Sequence, residues 1–444
     1  MLCRNLSFSI NFKDSNQIYM RRIITSVVLL IAVTFTACAN DSTKNKQAAI
    51  AGGLKLPPGF KATIVADKLG KARHLVVNSN GDIYVKLERL KDGKGILRLR
   101  DTNGDGMADE TFAFANYAGT GIAIKNGYLY SSSNSEVYRY KFNAKNEIEN
   151  PDNPDVIIKG LVDKRQHASK SLVLDDKGNI YVTIGAPSNA CQETDRTAGS
   201  PGQTPCPILE TAGGVWLFRT DKLNQTYAEG IRYVTGLRNV VGLDWNYSMN
   251  ELYVTQHGRD QLNQLHPTQY SIEQSAELPA EEFFIAKKGM DFGWPFCYYD
   301  PFQKKKVLAP EYGGDGKTEG VCGTKEKPLV AFPAHWAPNA LLFYTGTKFG
   351  EKYKNGAFIA FHGSWNRAPL KQGGYNVVFV PMKDGKPSGD YEIFADDFAG
   401  GEEFLTPAKA QHRPCGLAMG TDGSMYISDD QGGTIWKITY TGEK

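Results

Sequence analysis

Two adjacent residues near the middle of the chain are the first candidate ligand contact. Arg238 and Asn239 follow a turn glycine, Gly236, and precede an apolar run that begins at Val240. Such a pair projects a fixed cation and a neutral amide from the start of a strand, which suits a planar anionic ligand. Plain surface residues also occur in this pattern, so the pair alone leaves both interpretations open.

His167 is the candidate general base, because it stands directly before an apolar strand pattern. A histidine there can project into a central funnel, and its imidazole can take a proton from an alcohol near neutral pH. A lone histidine before a strand is more often structural, and that alternative also remains.

An acidic segment, 101–110, has the start of a calcium loop. Its candidate ligands are Asp101, Asn103, Asp105 and Asp109, with Gly106 at the sixth position. Oxygen ligands and a sixth-position glycine are typical of an EF-hand, but Phe112 stands at the twelfth position, where glutamate is required. We expect either a structural calcium site or a solvated acidic hairpin.

The elements that must position these residues are predicted from a repeated phrase of turn residues followed by a short apolar strand. Its six copies begin at Gly81, Gly127, Gly178, Asn250, Gly356 and Gly423. Such copies are typical of propeller blades, and their spacing widens along the chain as loops are inserted. We therefore expect an all-β, six-bladed propeller of four-stranded antiparallel sheets, with long inserted loops on one face.

Composition and ring closure agree with that fold. The 444 residues are 41% apolar and include 46 glycines, without the surplus of alanine and leucine of a helical protein. The last strand pattern, 434–440, lies near the end of the chain and would close the ring by pairing with the first strand. The propeller is assigned to 55–444, with one short helix expected at 271–282. A pair of β-sandwiches is the alternative, but it would not explain six repeats.

The first residues resemble an export signal. Two arginines after Met20 precede an apolar stretch, 23–37, and Phe35-Thr-Ala-Cys38 resembles a bacterial lipoprotein box. We predict a leader at 1–38, a lipid anchor on Cys38 and a polar tether at 39–54, in a periplasmic or cell-surface protein. The alternative is an ordinary secretory peptide cut near Ala37 or Ala39, and translation could start at Met1 or at Met20.

Five cysteines remain after the leader. In an oxidising compartment, Cys191 with Cys206 and Cys297 with Cys322 each bracket a loop and are predicted as disulfides, which leaves Cys415 unpaired. Metal binding is the rival interpretation, but no spacing typical of a zinc site supports it.

The charge balance favours no polyanionic partner. The formal net charge is only +3 at pH 7, and lysines and acidic residues are interspersed. We expect no nucleic acid partner, and contact with a membrane only through the lipid anchor.

Several separated motifs resemble the soluble sugar dehydrogenases that depend on pyrroloquinoline quinone (PQQ), in the aldose and sorbosone (pyranose) branch. The segment around His167 is similar to the one that holds the general base of that family, and Lys170 keeps a positive charge found there as arginine. Gln166 stands where the glucose-oxidising branch has an acidic residue. The resemblance implies that His167 is catalytic and that Lys170 contacts the cofactor.

The same resemblance extends to the strand and turn after residue 235. Gly236-Leu-Arg-Asn matches the strand that contacts the quinone, so Arg238 and Asn239 are implied as cofactor ligands, with Arg238 also stabilising charge during the reaction. The turn at 258–260 matches a calcium loop, which implies calcium bound by the backbone carbonyls of Gly258 and Arg259.

Two more motifs, Phe332-Pro-Ala-His-Trp-Ala-Pro and Phe361-His-Gly-Ser-Trp-Asn-Arg, resemble signatures of the family and imply His335 and Arg367 as cofactor contacts. Arg413, before the strand pattern at 414–419, is implied as a third arginine facing the carboxylates of PQQ. Trp365, within the second motif, is expected in the core.

These inferences give one main functional hypothesis and two alternatives. The main hypothesis is a PQQ- and calcium-dependent enzyme that oxidises an aldose or related sugar and passes electrons to an external acceptor, a cytochrome or a quinone. A second is a calcium-binding propeller that binds glycan or protein without catalysis. A third, a lactonase-like hydrolase, needs a cluster of acids where this chain offers cations.

Overall fold

Six small antiparallel sheets surround one axis in the computed structural model of this protein, which describes residues 52–401, 404 and 406–442. The strands of the first half are β1 (Phe60–Ala66), β2 (Ala72–Val77), β3 (Ile83–Lys91), β4 (Lys94–Arg100), β5 (Glu110–Phe114), β6 (Ile122–Lys125), β7 (Tyr128–Ser132), β8 (Val137–Lys141), β9 (Asp155–Lys159), β10 (Leu172–Leu174), β11 (Asn179–Ile184), β12 (Gly214–Arg219), β13 (Gln225–Thr226) and β14 (Ile231–Thr235). The remaining strands are β15 (Leu243–Asn246), β16 (Glu251–Gln256), β17 (Glu281–Ala286), β18 (Cys297–Asp300), β19 (Lys305–Leu308), β20 (Val330–Phe332), β21 (Pro338–Phe343), β22 (Ala357–Phe361), β23 (Asn376–Val380), β24 (Met382–Lys383), β25 (Lys386–Pro387), β26 (Glu392–Ala395), β27 (Pro414–Met419), β28 (Met425–Asp429) and β29 (Ile435–Tyr440).

Each sheet is one blade of a propeller. The strand orders are β2-β3-β4-β5, β6-β7-β8-β9 with β13 added parallel to β9, β10-β11-β12-β14, β15-β16-β17-β20, β21-β22-β23-β26 and β27-β28-β29-β1. The first-named strands lie innermost and contact one another in a closed ring. In the last blade β1 pairs with β29, with Phe60 opposite Tyr440, so the first and last strands close the ring. The predicted six-bladed all-β fold is confirmed.

The repeated phrase marks the same place in all six blades. Each copy forms the turn between the innermost strand and the second strand, ahead of β3, β7, β11, β16, β22 and β28. Asn126 and Gly127, for example, adopt φ values of 49° and 79°, as a tight hairpin requires. Blades face one another across apolar surfaces, so strands such as β22 and β23 are buried along their whole length.

Two helices, α1 (Leu262–Leu265) and α2 (Ile272–Glu277), lie in the insertion between β16 and β17. The predicted helix at 271–282 is shorter than expected. Ser271 caps α2 by accepting a hydrogen bond from the Gln274 amide, and the chain after Leu278 leaves the helix at Pro279 and enters β17. Proline has no amide hydrogen and cannot continue the helix, which explains the early end.

Three of the innermost strands carry a β-bulge at the same end. The register of β2 shifts between Ala72 and Leu75, that of β21 between Pro338 and Ala340, and that of β27 between Pro414 and Gly416. A bulge re-aims the side chain of the extra residue. The extra residues here include Arg73, Asn339 and Cys415, and the long insertions meet at this end of the ring.

Both predicted disulfides, Cys191–Cys206 and Cys297–Cys322, are present in these insertions, and Cys415 is a buried free thiol, as expected.

The leader at 1–38, the lipid anchor on Cys38 and tether residues 39–51 lie outside the described residues. The three tether residues that are described begin against the propeller, since the Gly52 amide donates to the Ala62 carbonyl at 3.1 Å and the Gly52 carbonyl accepts from Trp436 Nε1 at 3.0 Å. Over the part of the chain that the structure describes, no helix is both long enough and apolar enough to cross a bilayer.

Candidate functional site

A cavity of about 460 Å³ opens at the end of the ring where the bulges and insertions lie. Residues from five of the six blades form its wall. They are Arg73, His167, Ser169, Asn239, Val241, His257, Ala337, Asn339, His362, Gly363, Ser364, Trp365, Pro407 and Arg413. The lining contains two arginines and three histidines and no carboxylate, so the cavity favours an anionic or electron-rich ligand.

His167 is held in one tautomer. Its Nδ1 lies 2.5 Å from the Ala186 carbonyl, which can only accept a hydrogen bond, so Nδ1 carries the proton and Nε2 keeps a lone pair. Burial, and then the charge of Arg238, lower the pKa of His167 to about 3. Gly185 permits this position, because a Cβ on it would lie 2.6 Å from the Cβ of His167. The ring is therefore a neutral proton acceptor at neutral pH.

Arg238 is buried beside the cavity and is fully bonded. Its guanidinium donates to the Asn189 backbone carbonyl at 3.2 Å, to Asn189 Oδ1 at 3.1 Å and to the Gly258 carbonyl at 2.8 Å. It also pairs with Asp260 at 2.6 Å, and Asp260 pairs with Arg196 at 2.8 Å. Burial opposes the ionisation of Asp260, but the two guanidiniums outweigh it and hold the pKa of that carboxyl well below its usual range. Asp260 thus joins two arginines, and Asp195 faces Arg196 as a second carboxylate at 3.9 Å, so the charges of this cluster balance.

Gln166 stands where the glucose-oxidising branch has an acidic residue, and its side chain is bonded to Arg196 and to Asp195. The Arg196 Nε donates to Gln166 Oε1 at 3.1 Å, and Gln166 Nε2 donates to Asp195 at 2.6 Å. The residue before His167 is therefore held by a carboxylate from the disulfide-bonded insertion.

Asn239 connects the Arg238 strand to a second histidine. Asn239 Nδ2 lies 3.3 Å from His257 Nδ1, and His257 Nε2 lies 3.1 Å from the Pro338 carbonyl, so His257 donates through Nε2 and accepts through Nδ1. Burial lowers the pKa of His257 to about 4. Sequence reasoning did not assign a role to His257, although Gln256-His-Gly-Arg-Asp stood out as a motif.

Arg73 and His362 form the wall opposite His167 and were also missed. Both contact Asp430, with Arg73 Nη1 at 2.9 Å and His362 Nε2 at 2.7 Å. His362 lies in a motif that the sequence had singled out, whereas Arg73 carried no signal beyond its place before a strand. His362, Cys415 and Asp430 are the one set of three possible metal ligands found among the described residues. Arg73 already neutralises Asp430, and burial raises the pKa of Cys415 to about 12, so we assign no metal to it.

Arg413 is the lining cation without an acidic partner in the described part of the chain. Its Nε donates to the His362 carbonyl at 3.0 Å and its Nη2 to the Gly363 carbonyl at 2.6 Å. Neutral carbonyls orient the guanidinium but leave its charge uncompensated. Arg413 therefore provides positive charge to the cavity.

Besides Arg238, which lies beside the cavity, three residues implied as cofactor contacts by the resemblance do not line it. Lys170 is buried with its Nζ 2.5 Å from the Ala168 carbonyl, and burial lowers its pKa to about 8. His335 Nε2 donates to the Ser275 carbonyl at 2.9 Å, and Arg367 Nη1 donates to the Ala276 carbonyl at 2.9 Å. His335 and Arg367 thus hold α2, and their contact with a cofactor stays a prediction.

The turn at 258–260, which the resemblance implies as a calcium site, contacts Arg238 through the Gly258 carbonyl. The Gly258 amide donates to Glu281 Oε2 at 2.8 Å, and burial raises the pKa of Glu281 to about 8. The Arg259 side chain pairs with Glu311 rather than with the cavity. A buried acid thus fixes the backbone of the turn, which is the part that would supply the carbonyl ligands.

The acidic segment forms an exposed turn between β4 and β5. Asp101 accepts from the amides of Gly104 and Gly106 at 2.7 and 2.8 Å, and Asn103 accepts from the Asp105 amide at 2.9 Å. Asp109 accepts from the Thr102 amide at 3.0 Å. These contacts are made within the turn itself, so the structural calcium site stays a prediction.

Comparison with known proteins identifies relatives of this chain. A family model described as TrAA12-like matches residues 54–441. An uncharacterized protein of Borreliella burgdorferi is 26% identical over 94% of this chain and 97% of that protein. A protein of Hypocrea jecorina named pyrroloquinoline quinone-dependent sugar dehydrogenase is 23% identical over 93% of this chain and 96% of that protein.

Solved structures share the fold. The calcium structure of a Trichoderma reesei enzyme of carbohydrate-active family AA12 is 19% identical, with a TM-score of 0.70 over 88% of this chain and 98% of that one. The holo form of the PQQ domain of Coprinopsis cinerea pyranose dehydrogenase is 18% identical, with a TM-score of 0.68 over 87% of this chain and 97% of that one. These likenesses show that the chain shares the fold of these proteins.

The tautomer and charge of His167 can be measured directly. We expect ¹⁵N ring spectra of histidine-labelled protein to show His167 neutral and protonated at Nδ1 from pH 8 down to about pH 5. An ordinary imidazole would be half protonated at about pH 6.5, whereas a lowered pKa keeps the neutral form at more acidic pH. The His167→Gln variant assigns the signal, and titration of His167 near pH 6.5 would contradict this geometry.

Proposed function

The chain belongs to the TrAA12-like family, and on that basis we propose that it is a PQQ- and calcium-dependent dehydrogenase that oxidises an aldose or related sugar. The names of the fungal relatives support this cofactor and this substrate class. When bound, PQQ supplies a two-electron acceptor for the hydride that leaves the sugar carbon. The chain's own residues bind and orient the cofactor and take up the proton of the sugar hydroxyl.

The charge of the cavity is the observation that carries the proposal. PQQ is flat and bears three carboxylates, and enclosing such an anion requires several cations to offset its desolvation. Arg413 lines the cavity without an acidic partner among the described residues, and Arg73 in the lining and Arg238 beside it add guanidiniums that are paired with Asp430 and Asp260. Asn239 adds a neutral amide. The donor set therefore fits the cofactor.

His167 is the proposed base. Its Nε2 lone pair accepts the proton of the sugar hydroxyl, while the Ala186 carbonyl holds Nδ1–H and supports the positive charge that develops on the ring. Arg238, in contact with the backbone of the same pocket wall, stabilises negative charge that develops on the acceptor oxygen. These two roles match the opposite signs of charge created in the reaction.

Calcium is the second proposed ligand, bound by the backbone carbonyls of Gly258 and Arg259. Calcium prefers such neutral and anionic oxygens. The Gly258 carbonyl accepts a hydrogen bond from Arg238 Nη1 at 2.8 Å, so Arg238 would have to release this carbonyl for calcium to bind it. The resemblance alone implies Lys170, His335 and Arg367 as cofactor contacts, and none of these three residues lines the cavity.

Reconstitution tests this function. We expect purified protein mixed with PQQ and calcium to gain a quinone absorbance and to reduce a dye in the presence of an aldose from a sugar panel. His167→Ala should keep quinone uptake and lose turnover by about 100-fold or more, since general base catalysis contributes about that factor.

The matched control is His266→Gln, because His266 lies outside the cavity and glutamine can still donate to Glu311, its partner at 3.0 Å. This variant should turn over within about threefold of the wild type. No quinone uptake by the wild type would favour a propeller that binds glycan or protein, and unchanged turnover in His167→Ala would remove the base.

Two arginine variants compare an arginine that lines the cavity with one that only the family resemblance implies as a cofactor contact. Arg413→Gln removes the unpaired cation of the lining and is expected to weaken PQQ binding at least about tenfold, because a charge-assisted contact is lost. Arg367→Gln removes a contact to α2 and is expected to change PQQ affinity by less than about threefold. Equal losses, measured by absorbance titration, would show instead that Arg367 contacts the cofactor directly.

We further propose that the protein is anchored through lipidated Cys38 in the periplasm or at the cell surface, where it passes electrons to a cytochrome or a quinone. The motif Phe35-Thr-Ala-Cys38 and the two extracytoplasmic-type disulfides support this location. Cys38→Ala should move the protein from the membrane fraction to the soluble fraction. A wild-type protein found in the soluble fraction would contradict the anchor.

A further inference from the structure

Trp365 differs from the buried polar residues of the cavity wall, because its side chain is exposed. It is 48% accessible, whereas Arg73, Asn239 and Asn339 in the same lining are 6%, 7% and 3% accessible. The expectation that Trp365 belongs to the core is therefore wrong. The cavity changes from buried polar groups at its base to an exposed indole at its mouth.

The indole has no partner within the described residues. In that part of the chain no ring stacks on it, no cation lies over it, and its Nε1 makes no hydrogen bond, although many other aromatic rings are paired. Tryptophan combines a large apolar face with a polar N–H and is enriched where proteins contact partners, so an exposed indole in a cavity lining is a candidate ligand contact. The ring is therefore available to a ligand that enters the cavity.

The turn that carries Trp365 is rigid although the ring is exposed. Ser364 Oγ accepts from the Asn366 amide at 3.2 Å, and buried Asn366 accepts through Oδ1 from the Gln261 amide at 3.1 Å. On one side Arg413 binds the carbonyls of His362 and Gly363, and on the other Arg367 binds the Ala276 carbonyl at 2.9 Å. A fixed platform loses little conformational entropy when a ligand binds.

Arg367 and His335 connect the turn that carries Trp365 to α2. Arg367 also pairs with Glu277 at 2.5 Å, and His335 Nδ1 accepts from Asn366 Nδ2 at 3.2 Å. Both side chains join the Trp365 turn to α2 and its neighbours. They are positioning residues for the platform.

We propose that Trp365 is a specificity-determining residue whose indole face receives the C–H face of a pyranose substrate, an inference that rests on the proposed sugar oxidation. A pyranose ring has apolar C–H faces and polar edges, and an aromatic surface binds such a face while the hydroxyls remain near polar groups. The deeper, cation-rich part of the cavity suits the anionic cofactor. The exposed mouth suits the neutral sugar, which must enter after it and leave with each turnover.

Kinetics with the PQQ-loaded protein test this assignment. Trp365→Ala should raise the KM for the best aldose about tenfold, as loss of an aromatic contact and its buried area predicts. The kcat should stay within about twofold, and Trp365→Phe should recover most of the affinity. Discrimination between epimeric hexoses, which differ in whether an axial hydroxyl interrupts the C–H face, should weaken in Trp365→Ala.

Fluorescence gives a readout that is independent of turnover. Of the other five tryptophans, Trp216, Trp245, Trp294 and Trp436 are at most 4% accessible and Trp336 is partly buried, so Trp365 should dominate quenching by acrylamide. Sugar should protect the wild-type protein from quenching and should not protect Trp365→Phe. The control is Phe302→Ala, which removes an aromatic side chain that is 71% exposed and lies outside the cavity lining, and it should match the wild type in KM and in sugar protection.

The outcomes separate this inference from the function on which it rests. A wild-type protein that takes up no PQQ overturns the proposed function. A wild-type protein that oxidises sugar, with KM unchanged in Trp365→Ala, overturns only the role of Trp365. A Trp365→Ala protein with weaker PQQ affinity and unchanged KM overturns it as well, because the indole would then contact the cofactor.

Discussion

Two carboxylates, each shared by two cationic or potentially cationic side chains, hold the walls of the cavity. Asp260 joins Arg196 to Arg238, and Asp430 joins Arg73 to His362. Burial makes an unpaired guanidinium costly, so each carboxylate is needed for the structure and cannot be given up to a ligand. Asp195 balances the second arginine of the Asp260 cluster, so the uncompensated positive charge of the described lining comes from Arg413. The site is thus both rigid and electropositive before any ligand arrives, which is the condition for electrostatic preorganisation.

The propeller strands and the insertions each contribute different residues to this site. The ring brings strand starts from separate blades to one end, where bulges in β2, β21 and β27 aim Arg73, Asn339 and Cys415 out of the regular pleat. The insertions then supply the second layer, including Asn189 and Asp260, which lock Arg238. The rigid strands fix the positions of the side chains, and the loops supply further functional groups, as is general for sites on a stable scaffold.

The polarity of the cavity lining decreases from its base to its mouth. Buried arginines, amides and histidines with lowered pKa values surround its base, and one exposed indole stands at its mouth. Burial keeps His167 neutral and able to accept a proton from a sugar hydroxyl that reaches it. This change in polarity favours binding of the anionic cofactor at the base of the cavity and of the neutral sugar at its mouth.

The sequence by itself determined the six blades, the turn at the start of each second strand, both disulfides and the strand starts that carry His167, Arg238, Asn239 and Arg413. These features depend on local periodicity and on turn residues, which can be read over a few positions. Only the tertiary structure decided which of these side chains meet. Arg73 and His257 became visible as wall residues because a ring of blades brings distant segments together. Arg367 and His335 turned toward α2, and Trp365 turned to solvent, because contacts between insertions, which have no sequence period, set those directions.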